Sequence, residues 1–165
     1  ALWTESGVSN TVETPVVRGD IDGDNLSDII WQNSQQLYLL TSQSAYSLAD
    51  SIQITEMVSP KALVVTDMNG DEKADLVITE GYHWTGSYRI GYLANREDGL
   101  ANVPVYLNIT DADWLNLRPD RLLADDVDQD GDLDLYVDLV PESCSEITPA
   151  QTGWLENKGG WQSAQ

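Results

Sequence analysis

Residues 20–28 read DIDGDNLSD, residues 67–75 read DMNGDEKAD and residues 126–134 read DVDQDGDLD. Each stretch places Asp or Asn at its first, third, fifth and ninth positions. The stretches begin 47 and then 59 residues apart. A pattern that recurs at such intervals is typical of repeat proteins, in which each repeat is one supersecondary unit.

Apolar runs flank every acidic stretch: PVVRG, ALVVT and RLLAD precede it, and IIWQ, LVITE and LYVDL follow it. Short runs rich in Val, Ile, Leu, Trp and Tyr, bounded by Asp, Asn and Gly, are typical of β-strands. A third run follows in each unit: QLYLLTS, YRIGYLANRE and GWLENKGG. Each unit is therefore predicted as strand, acidic loop, strand, turn and strand. A looser fourth strand is predicted at 51–55 and at 103–109, and the best helical candidates, 45–51 and 112–117, are short.

The predicted fold class is all-β, with tandem antiparallel β-blade repeats that carry Asp-rich loops. We predict a single repeat domain over residues 1–165, with blades at 16–59, 60–110 and 111–165 and a partial blade at 1–15. Propellers close with about four to eight blades, which is more than this chain supplies. The chain is therefore expected to be a partial β-propeller, a propeller completed by association of copies, or an open stack.

The spacing of the carboxylates points to a bound cation. Two carboxylates about 4 Å apart repel each other by about 1 kcal/mol in water and by more near a protein surface. The side chains at these positions offer oxygen and no imidazole or thiolate, which selects a hard cation. Several flexible carboxylates favour Ca²⁺, with 6–8 oxygen ligands, whereas Mg²⁺ retains more of its waters. We therefore predict Ca²⁺ as the cofactor, at about three sites, one in each loop.

The predicted ligands are the side chains at the first, third, fifth and ninth positions and the backbone carbonyl at the seventh position. They are Asp20, Asp22, Asp24, Leu26 and Asp28 in the first loop, Asp67, Asn69, Asp71, Lys73 and Asp75 in the second, and Asp126, Asp128, Asp130, Asp132 and Asp134 in the third.

The EF-hand is the obvious rival, because its calcium loop uses the same early positions. An EF-hand needs a bidentate Glu at position 12 and a helix on each side. Position 12 is occupied here by Trp31, Ile78 and Val137, and the flanks are typical of strands. The Asp at position 9 is therefore expected to bind the ion directly and to close the loop early.

The extended motifs DIDGDNLSDIIW, DMNGDEKADLVIT and DVDQDGDLDLYV resemble the calcium loops of FG-GAP and VCBS repeats. Such repeats form the blades of integrin-α-like propellers and of many secreted bacterial proteins, and GWLENKGG resembles the strand that ends them. The resemblance extends over residues 16–161 and implies a blade whose loop joins its first two strands. The chain departs from the family pattern in having no Phe. Asn69 in place of Asp is expected to weaken the second site, and the added charge of Asp132 to strengthen the third.

Composition excludes several classes of function. The net charge of −20, from 28 acidic and 8 basic residues, excludes a nucleic-acid binder that works by neutralising phosphates. The same charge argues against docking on anionic lipid. No apolar stretch of 18 residues is present, so membrane insertion is not expected. A single cysteine, Cys144, excludes an internal disulfide and a thiolate metal cluster.

The function predicted from the sequence is that of a secreted, calcium-binding β-repeat segment with a structural or adhesive role, located outside the cell or at its surface. Catalysis is not expected, because His83 is the only histidine and the repeated carboxylates are assigned to metal. One alternative is an accessory glycan-binding region of a larger secreted enzyme or toxin, with Trp84 and Trp114 as candidate contacts. Another is a self-assembling subunit of an extracellular fibre. The expected partners are accordingly carbohydrate, other extracellular proteins or further copies of the chain.

Overall fold

The computed structural model describes most of the three repeat units. The described residues are 16–33, 36–44, 52–56, 62–82, 87–107, 117–141 and 151–158.

Three antiparallel sheets follow one another along the chain. The first sheet contains β1 (Val16–Gly19), β2 (Asp28–Asn33), β3 (Gln36–Leu40) and β4 (Ile52–Glu56), in that order. The second contains β5 (Leu63–Thr66), β6 (Asp75–Tyr82) and β7 (Ser87–Leu93); the hairpin of β8 (Asn95–Arg96) and β9 (Gly99–Leu100) follows, and β10 (Val105–Tyr106) then pairs with β7. The third contains β11 (Leu117–Asp125), β12 (Asp134–Pro141) and β13 (Gln151–Leu155). A short 3-10 turn, Ser42–Ser44, follows β3.

The predicted all-β class and antiparallel pairing are confirmed. Each acidic loop joins the first two strands of its sheet, and each second strand begins at the Asp of position 9. The strand predicted at 51–55 lies at Ile52–Glu56, and the strand predicted at 103–109 is shorter, Val105–Tyr106.

Some sequence predictions fall outside the described residues. The partial blade at 1–15 and the helical candidate at 45–51 lie outside them. Of the candidate at 112–117 only Leu117 is described, and this residue begins β11 and pairs with Pro141; the rest of the candidate lies outside the described residues. The β8–β9 hairpin was not predicted. Its turn residues are Glu97 and Asp98, and Gly99, at a φ of 106°, follows them at the start of β9. A glycine of positive φ just after a short turn is a hairpin signal.

The second sheet is buried on both faces, because it packs between the other two. Side chains alternate between the faces of a strand, so neighbouring residues of β6 enter different cores. Leu76 and Ile78 pack towards the first sheet with Ile30. Val77, between them, packs towards the third sheet with Leu135. This double burial explains why Leu76, Val77 and Ile78 form a continuous apolar run after Asp75 in β6.

The first strands of the three sheets lie side by side, because β5 contacts both β1 and β11. This arrangement places the acidic loops that leave β1, β5 and β11 at the same end of the stack. The described sheets form an open series and do not close into a ring. No helix in the described part of the chain is long and apolar enough to cross a membrane.

Candidate metal centres

The three acidic loops share one backbone conformation. The fourth and sixth positions of every loop have positive φ, in the left-handed region that L-residues rarely adopt. The residues are Gly23 (78°) and Asn25 (65°), Gly70 (74°) and Glu72 (68°), and Gln129 (63°) and Gly131 (98°). Glycine thus occupies the fourth position in two loops and the sixth in the third, and the loops keep the same shape.

Replacement of Gln129, the non-glycine residue of positive φ in the third loop, by glycine is expected to stabilise the protein. An L-residue in the left-handed region costs roughly 1–2 kcal/mol, and part of this is offset by the backbone entropy that glycine loses on folding. We expect Gln129→Gly to raise the free energy of unfolding by about 0.5–1 kcal/mol in urea denaturation. Gln129→Ala, which keeps the strain, is the control and should stay near wild type. A glycine variant less stable than the alanine variant would contradict the prediction.

The side chains at the first, third and fifth positions fold inward by accepting backbone hydrogen bonds within the loop. In the first loop, Asp20 accepts from the amides of Gly23 and Asn25, both at 2.8 Å. Asp22 accepts from the amide of Asp24 at 3.2 Å. The second and third loops repeat these turns, with Asp67, Asn69, Asp71, Asp126, Asp128 and Asp130 as acceptors.

Two of the loops bring three carboxylates together. Carboxylate oxygens of Asp20, Asp22 and Asp28 lie within 4.8 Å of one another, and so do those of Asp126, Asp128 and Asp130. Oδ1 of Asp126 is also buried and has no hydrogen-bond partner in the described part of the chain. A buried carboxylate oxygen without a donor is costly unless a cation contacts it, so the residues present fit a hard cation. The carbonyls of Leu26, Lys73 and Asp132 stay predicted ligands.

At its third position the second loop has an amide donor, Asn69, where the other two loops have a carboxylate. The amide nitrogen of Asn69 donates to Asp71 at 3.2 Å and to the hydroxyl oxygen of Tyr92 at 3.1 Å. The Tyr92 hydroxyl in turn donates to Asp75 at 3.0 Å. Part of the negative charge in this loop is therefore already met by protein donors.

The Asp at the ninth position is a buried clamp as well as a predicted ligand. Asp28, Asp75 and Asp134 are fully buried. One oxygen accepts from the amide of the second loop residue: Ile21 at 2.8 Å, Met68 at 3.1 Å and Val127 at 3.0 Å. The other accepts from an amide just beyond the third strand: Ser42 at 2.9 Å, Asn95 at 2.7 Å and Asn157 at 2.8 Å. This Asp therefore ties both ends of the loop to the end of the third strand.

Sequence reasoning missed two buried asparagines that connect neighbouring loops. The side-chain amide of Asn95 donates to the carbonyls of Ile21 in the first loop and Ala74 in the second. The side-chain amide of Asn157 donates to Met68 in the second loop and to Leu133 in the third. The available signal was the Leu-x-Asn ending shared by YRIGYLANRE and GWLENKGG.

Crowding within the loops shifts several carboxyl pKa values. Partial desolvation raises the pKa of Asp22 and of Asp128, and neighbouring loop carboxylates raise both further. Burial raises the pKa of Asp75. Asp24 has a lowered pKa, chiefly because the Ser42 hydroxyl donates to it.

These shifts predict opposite pH responses with and without metal. The pKa values of Asp22, Asp75 and Asp128 are raised above the ordinary 3.8 in the folded chain. A carboxyl of this kind contributes stability at low pH, and this contribution is lost as the pH rises through the folded pKa. The loss therefore falls in a pH window above 3.8. Asp24 acts with the opposite sign. We expect the calcium-stripped protein to gain or keep melting temperature from pH 7 towards 5, since acidification also reduces self-repulsion. The calcium-loaded protein should lose it, because protons compete for the ligands. Equal losses in both samples would contradict the prediction.

The first loop borders a cleft. The cleft has a volume of about 440 Å³ and separates the first loop from the second loop and the β8–β9 hairpin. Asp20, Asp22, Glu72 and Asp98 are among its lining residues. The lining also includes the basic residues Lys73 and Arg96. Asp20 and Asp22 of the first loop's carboxylate group therefore line a cleft of mixed charge in which acidic residues are more numerous.

Comparison with known families agrees with this geometry. Residues 20–78 match the family model of the FG-GAP-like repeat. The matched stretch begins at the first residue of the first loop and includes the whole second loop. No curated protein matches the chain significantly. The chain therefore contains an FG-GAP-like repeat, as the acidic loops and the strands that follow them predicted.

Proposed function

We propose that this protein is a calcium-stabilised β-repeat scaffold that acts outside the cell in a structural or adhesive role, not as a catalyst. The observation that carries the proposal is that three carboxylates converge in both the first and the third loop: Asp20, Asp22 and Asp28 in the first, and Asp126, Asp128 and Asp130 in the third. The carboxylates at the first and third positions are common to the two groups, and the third member differs. FG-GAP-like repeats typically occur in extracellular proteins, and the first two loops lie within the matched stretch.

Bound calcium would supply positive charge that lets closely spaced carboxylates share one small volume. In the first loop Asp20, Asp22, Asp24 and Asp28 would hold the ion, and Asp126, Asp128, Asp130 and Asp134 would do so in the third. The backbone turns orient these side chains inward only in the folded loop, so an ion bound there stabilises the loop against opening. Because binding favours only the folded loops, its free energy adds to the free energy of folding.

The second loop offers a direct test of this role through Asn69→Asp. The substitution restores the carboxylate pattern but removes the amide that donates to Asp71 and Tyr92. Without calcium we expect a loss of about 1–2 kcal/mol in the free energy of unfolding, because donors are lost and repulsion is gained. With calcium the loss should shrink or reverse. Asn69→Ser, which adds no charge, is the control, and calcium should not reduce its loss of stability. An aspartate variant that calcium does not rescue would argue against metal in these loops.

A second candidate function, self-association, is favoured by an exposed row on the third sheet. Leu123, Tyr136 and Trp154 lie directly opposite one another across β11, β12 and β13, and Leu123 and Trp154 are 55% and 44% exposed. The equivalent rows are Val17, Ile30 and Leu39 in the first sheet and Val64, Val77 and Tyr92 in the second. Those rows pack into the cores against the following sheet.

We propose that a sheet of a second copy of the chain packs on this row. A fibre subunit, or a propeller completed by several copies, would need such packing. Sedimentation in calcium should then show association that grows with concentration and is weakened by Trp154→Ser. Thr152→Ala, an exposed change on the same strand, is the control. A monomer at every concentration would exclude this occupant. Trp154-dependent binding on a glycan array would instead support the carbohydrate alternative, whose sequence candidates Trp84 and Trp114 lie outside the described residues.

A further inference from the structure

We propose that Asn95 and Asn157 are positioning residues that couple neighbouring acidic loops, so that calcium orders adjacent loops together. The coupling rests on the calcium function proposed above. It predicts that the loops do not act as independent sites on a rigid frame.

Asn95 joins the first loop to the second. Its backbone amide donates to Asp75, the ninth residue of the second loop, at 2.7 Å. Its side-chain nitrogen donates to Ala74, also in the second loop, at 3.1 Å and to Ile21, in the first loop, at 2.7 Å. Asn95 is only 4% exposed, so water cannot readily replace these acceptors.

Asn157 joins the second loop to the third in the same way. Its backbone amide donates to Asp134 at 2.8 Å, and its side-chain nitrogen donates to Leu133 at 3.1 Å and to Met68 at 3.2 Å. Asn157 is likewise 4% exposed. In both asparagines the bond across the sheets ends on the carbonyl of the second loop residue. The repeat therefore places the same bridge at both junctions between sheets.

The first unit provides an internal comparison. Ser42 occupies the equivalent place, two residues beyond the third strand, and its backbone amide donates to Asp28 as the asparagine amides do to their own loops. Its hydroxyl, however, donates to Asp24 of the same loop at 2.6 Å. Ser42 thus keeps the clamp, and within the described residues its hydroxyl bonds to its own loop. Asn→Ser is the substitution that removes the bridge and preserves the clamp.

The sign of the coupling follows from the burial of the amides. When the first loop opens, Ile21 moves away from Asn95 and leaves a buried donor without its acceptor. Opening the first loop is therefore harder when the second loop holds Asn95 in place, and the converse also holds. Because coupling is reciprocal, calcium that orders either loop favours order in the other.

Hydrogen exchange can test this loop by loop. Amide exchange would be followed in residues 20–28, 67–75 and 126–134 during a calcium titration of the full chain. In wild type, adjacent loops should gain protection at midpoints within about twofold of each other. In Asn95→Ser the midpoint of the first loop should separate from that of the second by about fivefold, while the second and third stay together. In Asn157→Ser the third loop should separate, while the first and second stay together.

Each outcome decides the proposal. Separate midpoints in wild type, or equal shifts of all three loops in Asn95→Ser, would overturn the coupling. If one variant does not fold, the other applies the same test at its own junction. A wild type without any calcium response contradicts the proposed calcium function alone. Asn95→Ser should even then speed exchange in the first loop and not in the third, and unchanged exchange in the first loop would overturn the bridge itself.

Discussion

Replacement of Asp75 by alanine is expected to lower the free energy of unfolding by about 3–5 kcal/mol, with or without calcium. The Asp75 side chain is buried and accepts three hydrogen bonds, from the amides of Met68 at 3.1 Å and Asn95 at 2.7 Å and from the hydroxyl of Tyr92 at 3.0 Å. A buried donor left without its acceptor costs about 1–3 kcal/mol. Domains of this size are stable by only about 5–15 kcal/mol, so the loss is a large fraction of the total.

The calcium independence is the distinctive part of this prediction. Three carboxylates converge in the first and third loops of the described chain, whereas the second loop already meets its charge partly through Asn69. Urea denaturation in calcium and in calcium-free buffer would measure both losses. Asp71→Ala, an exposed change in the same loop, is the control and should cost less than about 1 kcal/mol. A cost for Asp75→Ala that appears only with calcium would show that its main role is metal binding and not the clamp.

The second large effect concerns calcium itself. Calcium at 100 times the dissociation constant of a site adds about 2.7 kcal/mol to stability. A change of 1 kcal/mol moves the melting temperature of a domain of 150–250 residues by about 2–4 °C. Two sites, in the first and third loops, should therefore raise the melting temperature by roughly 10–20 °C at this calcium level.

The double variant Asp126→Asn/Asp128→Asn locates part of that effect in the third loop. Asparagine keeps the shape and the acceptor oxygen of each turn but removes the charge that attracts the ion. We expect the variant to lose about half of the calcium-induced rise and to melt near or above wild type without calcium, because repulsion is relieved. The control is Asp120→Asn/Glu156→Gln, which removes the same amount of charge from exposed positions of the described chain. If Asp126→Asn/Asp128→Asn lowered the melting temperature equally with and without calcium, this result would argue against a calcium site in the third loop.

The strands were predictable because each unit repeats the same apolar runs around its acidic loop. The loop positions were predictable for the same reason, since three loops in register make chance spacing improbable. The second role of the ninth Asp was not predictable, because its partners Ser42, Asn95 and Asn157 come from the end of a third strand whose return path the spacing does not give.

The bridging role of Asn95 and Asn157 was hidden for a related reason. Asn95 reaches Ile21 across 74 residues of sequence, and Asn157 reaches Met68 across 89. Contacts of this range depend on how the sheets stack, which a local pattern cannot supply. The exposed row of Leu123, Tyr136 and Trp154 was likewise not predictable as a surface for association. Its apolar character is visible in the sequence, but its equivalence to buried rows appears only from the strand register.

Isothermal titration of the metal-stripped chain with calcium would show whether the acidic loops bind the ion. We expect at least two calcium ions per chain, bound by the first and third loops, with weaker binding in the second loop. Magnesium at equal concentration should not compete. Asp126→Asn/Asp128→Asn should remove one of the stronger sites and leave the other. Absence of calcium binding, or calcium binding that the double variant leaves unchanged, would contradict a metal-binding role for these loops.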